Sequence, residues 1–196
     1  MADLNNILKI RTNNIQPSKG KILISEPFLN DYYFKRSVVL LAEHNEEGSF
    51  GLILNKPVDM FLHEMIKGFP EFNARVYLGG PVKTDNLYFI HTQGNLIENS
   101  MEILDGLYWG GEIEHVKELI MIGKLQPNQI KFYVGYAGWV TNQLEGELER
   151  NSWLVANIRP SQVMASNTQK LWDKSLSKLG GDYSYWINFP SDPNLN

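Results

Sequence analysis

This chain of 196 residues contains no cysteine, which excludes a disulfide framework, a thiolate zinc centre and a cysteine nucleophile. It also lacks any apolar run near the roughly 20 residues that a membrane-spanning helix needs, and its opening MADLNNILKIRTNN has no apolar stretch of the signal-peptide kind. An excess of positive charge is missing too. With 18 Lys and Arg against 22 Asp and Glu, the formal net charge is −4, and the field of the whole molecule repels phosphate backbones. These absences lead to the expectation of a cytoplasmic protein without membrane attachment, for which direct nucleic-acid binding is disfavoured.

What is present suffices for one core. At 43% hydrophobic residues, a chain of this length buries roughly 70% of the surface that its unfolded form exposes. Residues 1–19, rich in Asn and ending near Pro17 and Ser18, read as a mobile tail, residues 20–189 as a single domain, and residues 190–196 as a C-terminal tail. KILIS from Lys21, SVVLLAEH at 37–44 and SFGLILN at 49–55 are apolar runs of strand length, and NEEGS at 45–49 reads as the turn of a hairpin. Further strands are expected at 74–80, 86–92, 130–134 and 153–157. Ile113, Val116, Leu119 and Ile120 fall within about 120° of one another at helical spacing, so 112–124 reads as a surface helix, and 168–179 as a last one closed by Gly180 and Gly181. Strands dominate early and helices intersperse later, which predicts an α+β fold with a mainly antiparallel sheet.

Most catalytic patterns are missing. GxSxG does not occur, His63-Glu64 is not followed by the second His of HExxH, and Glu112 with His115 supplies only half of a di-iron pair. No catalytic residue, metal ligand or cofactor is therefore assigned. Gly79, Gly80 and Pro81 fit a sharp turn better than a phosphate cradle, because neither GxGxxG nor GxxxxGK[ST] is present. Arg36, Glu43, His44 and Asn55 stand near the ends of successive strands, where antiparallel pairing could gather them into a polar pocket. There Arg36 would hold an anion, His44 would exchange protons and Asn55 would orient a ligand, in a small-ligand-binding protein or an enzyme. The alternative is that Arg36 pairs with Asp31 or Glu43 while the others bond loop backbone. Lys170, Lys174 and Lys178 form a basic stripe that reads as a solvated helix face, or else as a contact for nucleic acid or an acidic partner.

The most particular stretch is GYAGW at 135–139, followed by Gln143, Leu144, Glu145, Glu147 and Trp153. Gly135 and Gly138 permit a tight strand-to-helix turn, and Asn142 with Glu145 has the spacing of a capping box. On that helix Glu145 and Glu147 point about 200° apart, which argues against a catalytic pair and leaves Glu147 solvated or ion-paired. Earlier in the chain stand Pro27, Asp31, Arg36-Ser37, Glu43-His44-Asn45, Asn55-x-Pro57 and Gly79-Gly80-Pro81.

In this order the motifs resemble those of the AlgH/YqgE family over residues 20–189, although Val140, Thr141 and Asn142 replace the small residues usual after the tryptophan. The resemblance implies an α+β fold whose branched antiparallel sheet curls into a pseudo-barrel with flanking helices. It also implies a regulatory, transcription-associated role without established catalysis, exercised through an unknown protein partner or small ligand. Within the signature, Gly79, Gly80, Pro81, Gly135, Tyr136, Gly138, Trp139, Gln143, Glu145 and Trp153 read as structural.

Overall fold

The structure is a computed structural model that describes residues 13–190. Ten strands form one sheet: β1 (Lys21–Ser25), β2 (Val38–Asn45), β3 (Gly48–Ile53), β4 (Pro57–Phe61), β5 (Arg75–Leu78), β6 (Val82–His91), β7 (Met101–Leu104), β8 (Leu107–Trp109), β9 (Ile130–Val140) and β10 (Trp153–Asn157). The helices are α1 (Leu62–Met65), α2 (Ile113–Met121), α3 (Gln143–Glu149), α4 (Pro160–Val163) and α5 (Leu171–Leu179), with 3-10 turns at Pro127–Gln129 and Gly181–Asn188.

The main path runs β10-β1-β2-β3-β9-β6-β8-β7, and β5 joins β9 while carrying β4 on its other side. Every pairing is antiparallel except β5 with β9. The branch lies within β9: residues 132–134 pair with β5, and residues 137–140 pair with β3. Gly135, at φ +68°, marks the handover. A Cβ there would lie 2.4 Å from the Gly80 carbonyl oxygen, and one on Gly79 would lie 2.1 Å from the Gly135 carbonyl oxygen. Those two backbones can meet only because neither residue has a side chain.

Burial on both sides explains the long apolar runs. One face of the whole sheet covers a shared core built from residues such as Ile24, Leu40, Leu52, Ile90, Leu154, Trp172 and Trp186. The opposite face packs Leu23, Val39 and Ile53 with Leu144 of α3 at one end, and Val76, Phe89 and Phe132 with Val116 and Leu119 of α2 at the other. A strand sandwiched in this way reads as a continuous apolar stretch rather than an alternation, as Val38–Ala42 does.

Three expectations change here. The sheet curls until a Cβ on Gly20 would lie 3.0 Å from the Ile103 carbonyl oxygen, but the end strands β10 and β7 do not pair, so the pseudo-barrel is open. GYAGW is no turn: it is the second half of β9, because Gly48, Ser49, Phe50 and Gly51 of β3 offer partners to Val140, Trp139, Gly138 and Ala137. The expected N-terminal tail lies outside the described residues up to position 12, and from Asn13 the chain is held against β10 by a reciprocal pair of hydrogen bonds with Val155. Residues 191–196 of the expected C-terminal tail also lie outside the described residues. No helix among the described residues is long and apolar enough to cross a membrane.

Candidate functional site

The four residues expected to share a pocket are distributed over three places. Arg36 and Asn55 sit where β2 begins and β3 has ended; Glu43 and His44 sit at the far end of β2, about 25 Å away at 3.3 Å per strand residue. Antiparallel pairing gathers strand ends only in alternation, so the β2–β3 hairpin holds these two pairs at opposite ends.

Arg36 is used internally. Its φ of +49° is unusual for a side-chain-bearing residue, and it is held there from two directions. Asn55 donates to the Arg36 carbonyl oxygen (2.9 Å) and accepts from the Val38 amide (2.9 Å). The guanidinium donates to the Phe189 carbonyl oxygen and lies 4.9 Å from the centre of the Trp172 ring. This pair is a bracket between the sheet and the C-terminal segment: Asn55 bonds backbone, as the plainer expectation has it, but Arg36 meets the Phe189 carbonyl rather than Asp31 or Glu43.

At the other end, Glu43 pairs with Phe50, which pairs with Gly138, while the adjacent His44 pairs with Ser49, which pairs with Trp139. Successive strand residues face opposite ways, so Glu43 and His44 belong to different faces. His44 shares a hydrogen bond with the Ser49 hydroxyl (2.8 Å), and its Nε2 lies 3.9 Å from Glu145.

The Glu43 row opens into a cleft of about 400 Å³ that is also lined by Glu47, Phe50, Tyr136 and Gly138. The Tyr136 ring lies across Gly138, where a Cβ would come within 2.9 Å of a ring carbon. Phe50 is 4.7 Å from Tyr136 between ring centres, and Tyr88 and Trp109 extend the group, with centroid separations of 5.6 Å from Tyr88 to Tyr136 and 4.6 Å from Phe50 to Trp109. These four half-buried rings cross the adjacent strands β3, β9, β6 and β8. Burial and the neighbouring Tyr136 and Asp85 raise the Tyr88 hydroxyl above its ordinary value of 10.0. The lining contains two carboxylates and neither Lys nor Arg, so the cleft is an aromatic surface with an acidic rim. The sequence offered a faint signal of it: Phe50, Tyr88, Trp109 and Tyr136 lie far apart in the chain, and only knowledge of the strand order brings them together.

An AlgH-like family model matches residues 22–184. The chain belongs to the AlgH-like family. It is 44% identical to a UPF0301 protein of Parabacteroides distasonis over 198 aligned positions, covering all of both chains. It is also 44% identical to a UPF0301 protein of Bacteroides thetaiotaomicron, covering 97% of each. Among solved structures, the solution structure of AlgH from Pseudomonas aeruginosa matches with a TM-score of 0.69 and 30% identity over 90% of this chain and 98% of that one. A crystal structure from Corynebacterium diphtheriae matches with a TM-score of 0.76 over 94% of this chain and 96% of that one. At 24% identity, the latter shows the fold alone.

The geometry of the AlgH-like signature corrects two further readings. Glu147 is half-buried and bonded to neutral donors instead of ion-paired: one carboxylate oxygen accepts from both the Trp139 indole (2.9 Å) and the Trp153 indole (2.7 Å), and the other accepts from the Gln143 amide (3.1 Å). The two indoles meet edge to face with centroids 6.0 Å apart, so Glu147 ties β9, α3 and β10 together. The expected capping box fails because Asn142 takes φ +62° and makes no side-chain cap, and Gln143 instead accepts from the Val140 amide (3.1 Å). Glu145 is thereby free to face His44. Gly79, Gly80 and Pro81 lie at the branch of the sheet, with the Gly79 carbonyl oxygen accepting from Ile53 (2.8 Å) and its amide donating to Val134 (2.8 Å). Among the described residues, no group of three or more His, Asp or Glu is placed to hold a metal ion.

Proposed function

We propose that this AlgH-like protein is a regulatory binding protein that captures a cationic side chain, Arg or Lys, from an extended segment of a protein partner in the cleft beside Glu43 and Glu47. The observation that carries this reading is the composition of that cleft: Phe50 and Tyr136 face a space rimmed by two carboxylates, with neither Lys nor Arg in the lining. A cation over an aromatic face gains about 0.5–2 kcal/mol, and nearby carboxylates add charge-assisted hydrogen bonds. Any effect on transcription would then pass through a protein partner, because duplex DNA has the wrong sign of charge for this face.

The test is calorimetric titration with an acetylated tetra-arginine peptide and with its tetra-glutamate counterpart. Saturable binding of the first alone is expected, weakened about tenfold or more in the Glu43→Gln/Glu47→Gln double variant. No saturable binding of the arginine peptide, or equal binding by the variant, would remove the reading. Fluorescence anisotropy with duplex DNA across a salt series separates the competing case, since direct DNA binding would appear at low salt and fall steeply as salt rises.

A further inference from the structure

A second cleft has the opposite sign of charge. It lies between the β4–β5 pair, the start of β9 and the segment 164–169, as two adjoining spaces of about 380 and 330 Å³ that share Arg75, Tyr77 and Ser166. In the parallel register Val76 stands beside Phe132 and Tyr77 beside Tyr133; continued by one residue, this register puts Arg75 beside Lys131 on the same face of the sheet, on backbones roughly 4.8 Å apart.

Lys131 is 5% exposed. Its ammonium donates to the Ala165 carbonyl oxygen (2.6 Å) and lies 4.6 Å from the centre of the Tyr77 ring. Neither lining set contains Asp or Glu. Among the described residues the ion pairs are His44 with Glu145 and Lys117 with Glu114, so neither Arg75 nor Lys131 has a carboxylate partner. Two neighbouring cations, one of them buried, without a counter-charge form an arrangement that folding alone disfavours. A ligand that supplies the missing charge resolves it.

We propose that this groove binds a small molecule through an oxyanion group, phosphate or carboxylate, held between the Arg75 guanidinium and the Lys131 ammonium. The Arg75 fork is exposed and can meet two oxygens at once, while Lys131 acts as a point charge from below. Amide side chains of Asn73, Asn128 and Gln169 offer further donors around the opening, and the rings of Phe61 and Tyr77 give an apolar wall for an organic body. Burial pushes the Lys131 amine down to about 8, which a bound anion would reverse.

The site is tested by titrating the protein at pH 7 and constant ionic strength with inorganic phosphate, phenyl phosphate and benzoate. Amide chemical shifts of β5 and β9 and the Lys131 13Cε titration are followed together. A saturable shift centred on Arg75 and Lys131, with Lys131 titrating at higher pH when ligand is present, is expected. Arg75→Gln, an exposed position whose change spares the core, should weaken binding about tenfold or more, and Lys131→Met should do the same. If the two organic probes bind and inorganic phosphate does not, the site takes an oxyanion attached to an apolar body; binding by all three places recognition in the oxyanion itself. No saturable response to any probe, or undiminished binding by Arg75→Gln, would overturn the proposal. The cationic-peptide reading of the other cleft uses none of these residues, so either can fail alone.

Discussion

Lys131→Met should stabilise the protein at neutral pH, although it removes a hydrogen bond. Burial displaces the Lys131 amine from 10.5 to about 8, so keeping the ammonium charged in the folded state at pH 7 costs about 3 kcal/mol, at 1.36 kcal/mol per pH unit. Met has similar length and no charge, which removes that cost. It also leaves the Ala165 carbonyl oxygen without its donor and takes the ammonium away from the Tyr77 ring, losses of about 1 kcal/mol each. The net gain at pH 7 is therefore about 1 kcal/mol, or roughly 2–4 °C in Tm for a domain of this size.

The sign of the pH dependence makes the test sharper. Because the folded-state value is depressed, the unfolded chain holds a proton between about pH 8 and 10.5 that the folded chain has released. Stability of the native sequence therefore rises with pH across that window, and the cost is fully present below it. The neutral amine keeps its hydrogen bond, so the advantage of Lys131→Met should shrink above pH 8, pass through zero and become a deficit of about 1 kcal/mol near pH 10.5. Urea unfolding of both proteins at pH 7, 8, 9 and 10 measures this difference directly. A variant no more stable than the native sequence at pH 7, or an advantage unchanged between pH 7 and 10, would refute the account of Lys131 as a buried ammonium lacking a counter-charge.

Two other predictions concern the scaffold. Glu147→Ala should cost about 2–4 kcal/mol, because it strands two buried indole N–H donors, whereas Glu145→Ala, which removes only a 3.9 Å contact with His44, should change stability by less than about 1 kcal/mol. Equal unfolding midpoints in urea for the two variants would contradict the clamp. His91 is fully buried, accepts from the Gln93 amide and faces the Gly110 carbonyl oxygen, and burial lowers its pKa below 6.5. The unfolded state then binds a proton more readily, so stability should fall as pH drops through about 6.5; His91→Gln should flatten that decline, and an unchanged slope in the variant would count against it.

What the residues disclosed in advance was mostly their burial pattern. Lys21–Ser25 and Trp153–Asn157 end where the apolar runs end, and the Glu46–Glu47 turn sits where two strand runs meet. β4, β7 and β8 have no clear apolar signal of their own, because each is five residues or fewer and its partners are supplied only by the sheet. GYAGW misled for a physical reason: two glycines in five residues suggest a turn, yet here they admit the Gly79–Gly80 backbone and the Tyr136 ring beside a continuous strand. The expected pocket failed through geometry, since position near a strand end does not say which end or which face. Both charged clefts are products of pairing across the sheet. Glu43 meets Phe50 and Gly138 through β2, β3 and β9, while Arg75 meets Lys131 through a parallel pairing that no local pattern announces. Lys131 is different in kind: a lysine followed by Phe132 and Tyr133 within an apolar strand must either reach solvent or be buried with its charge. In this fold it is buried, and the groove above it is where a counter-charge would have to come from.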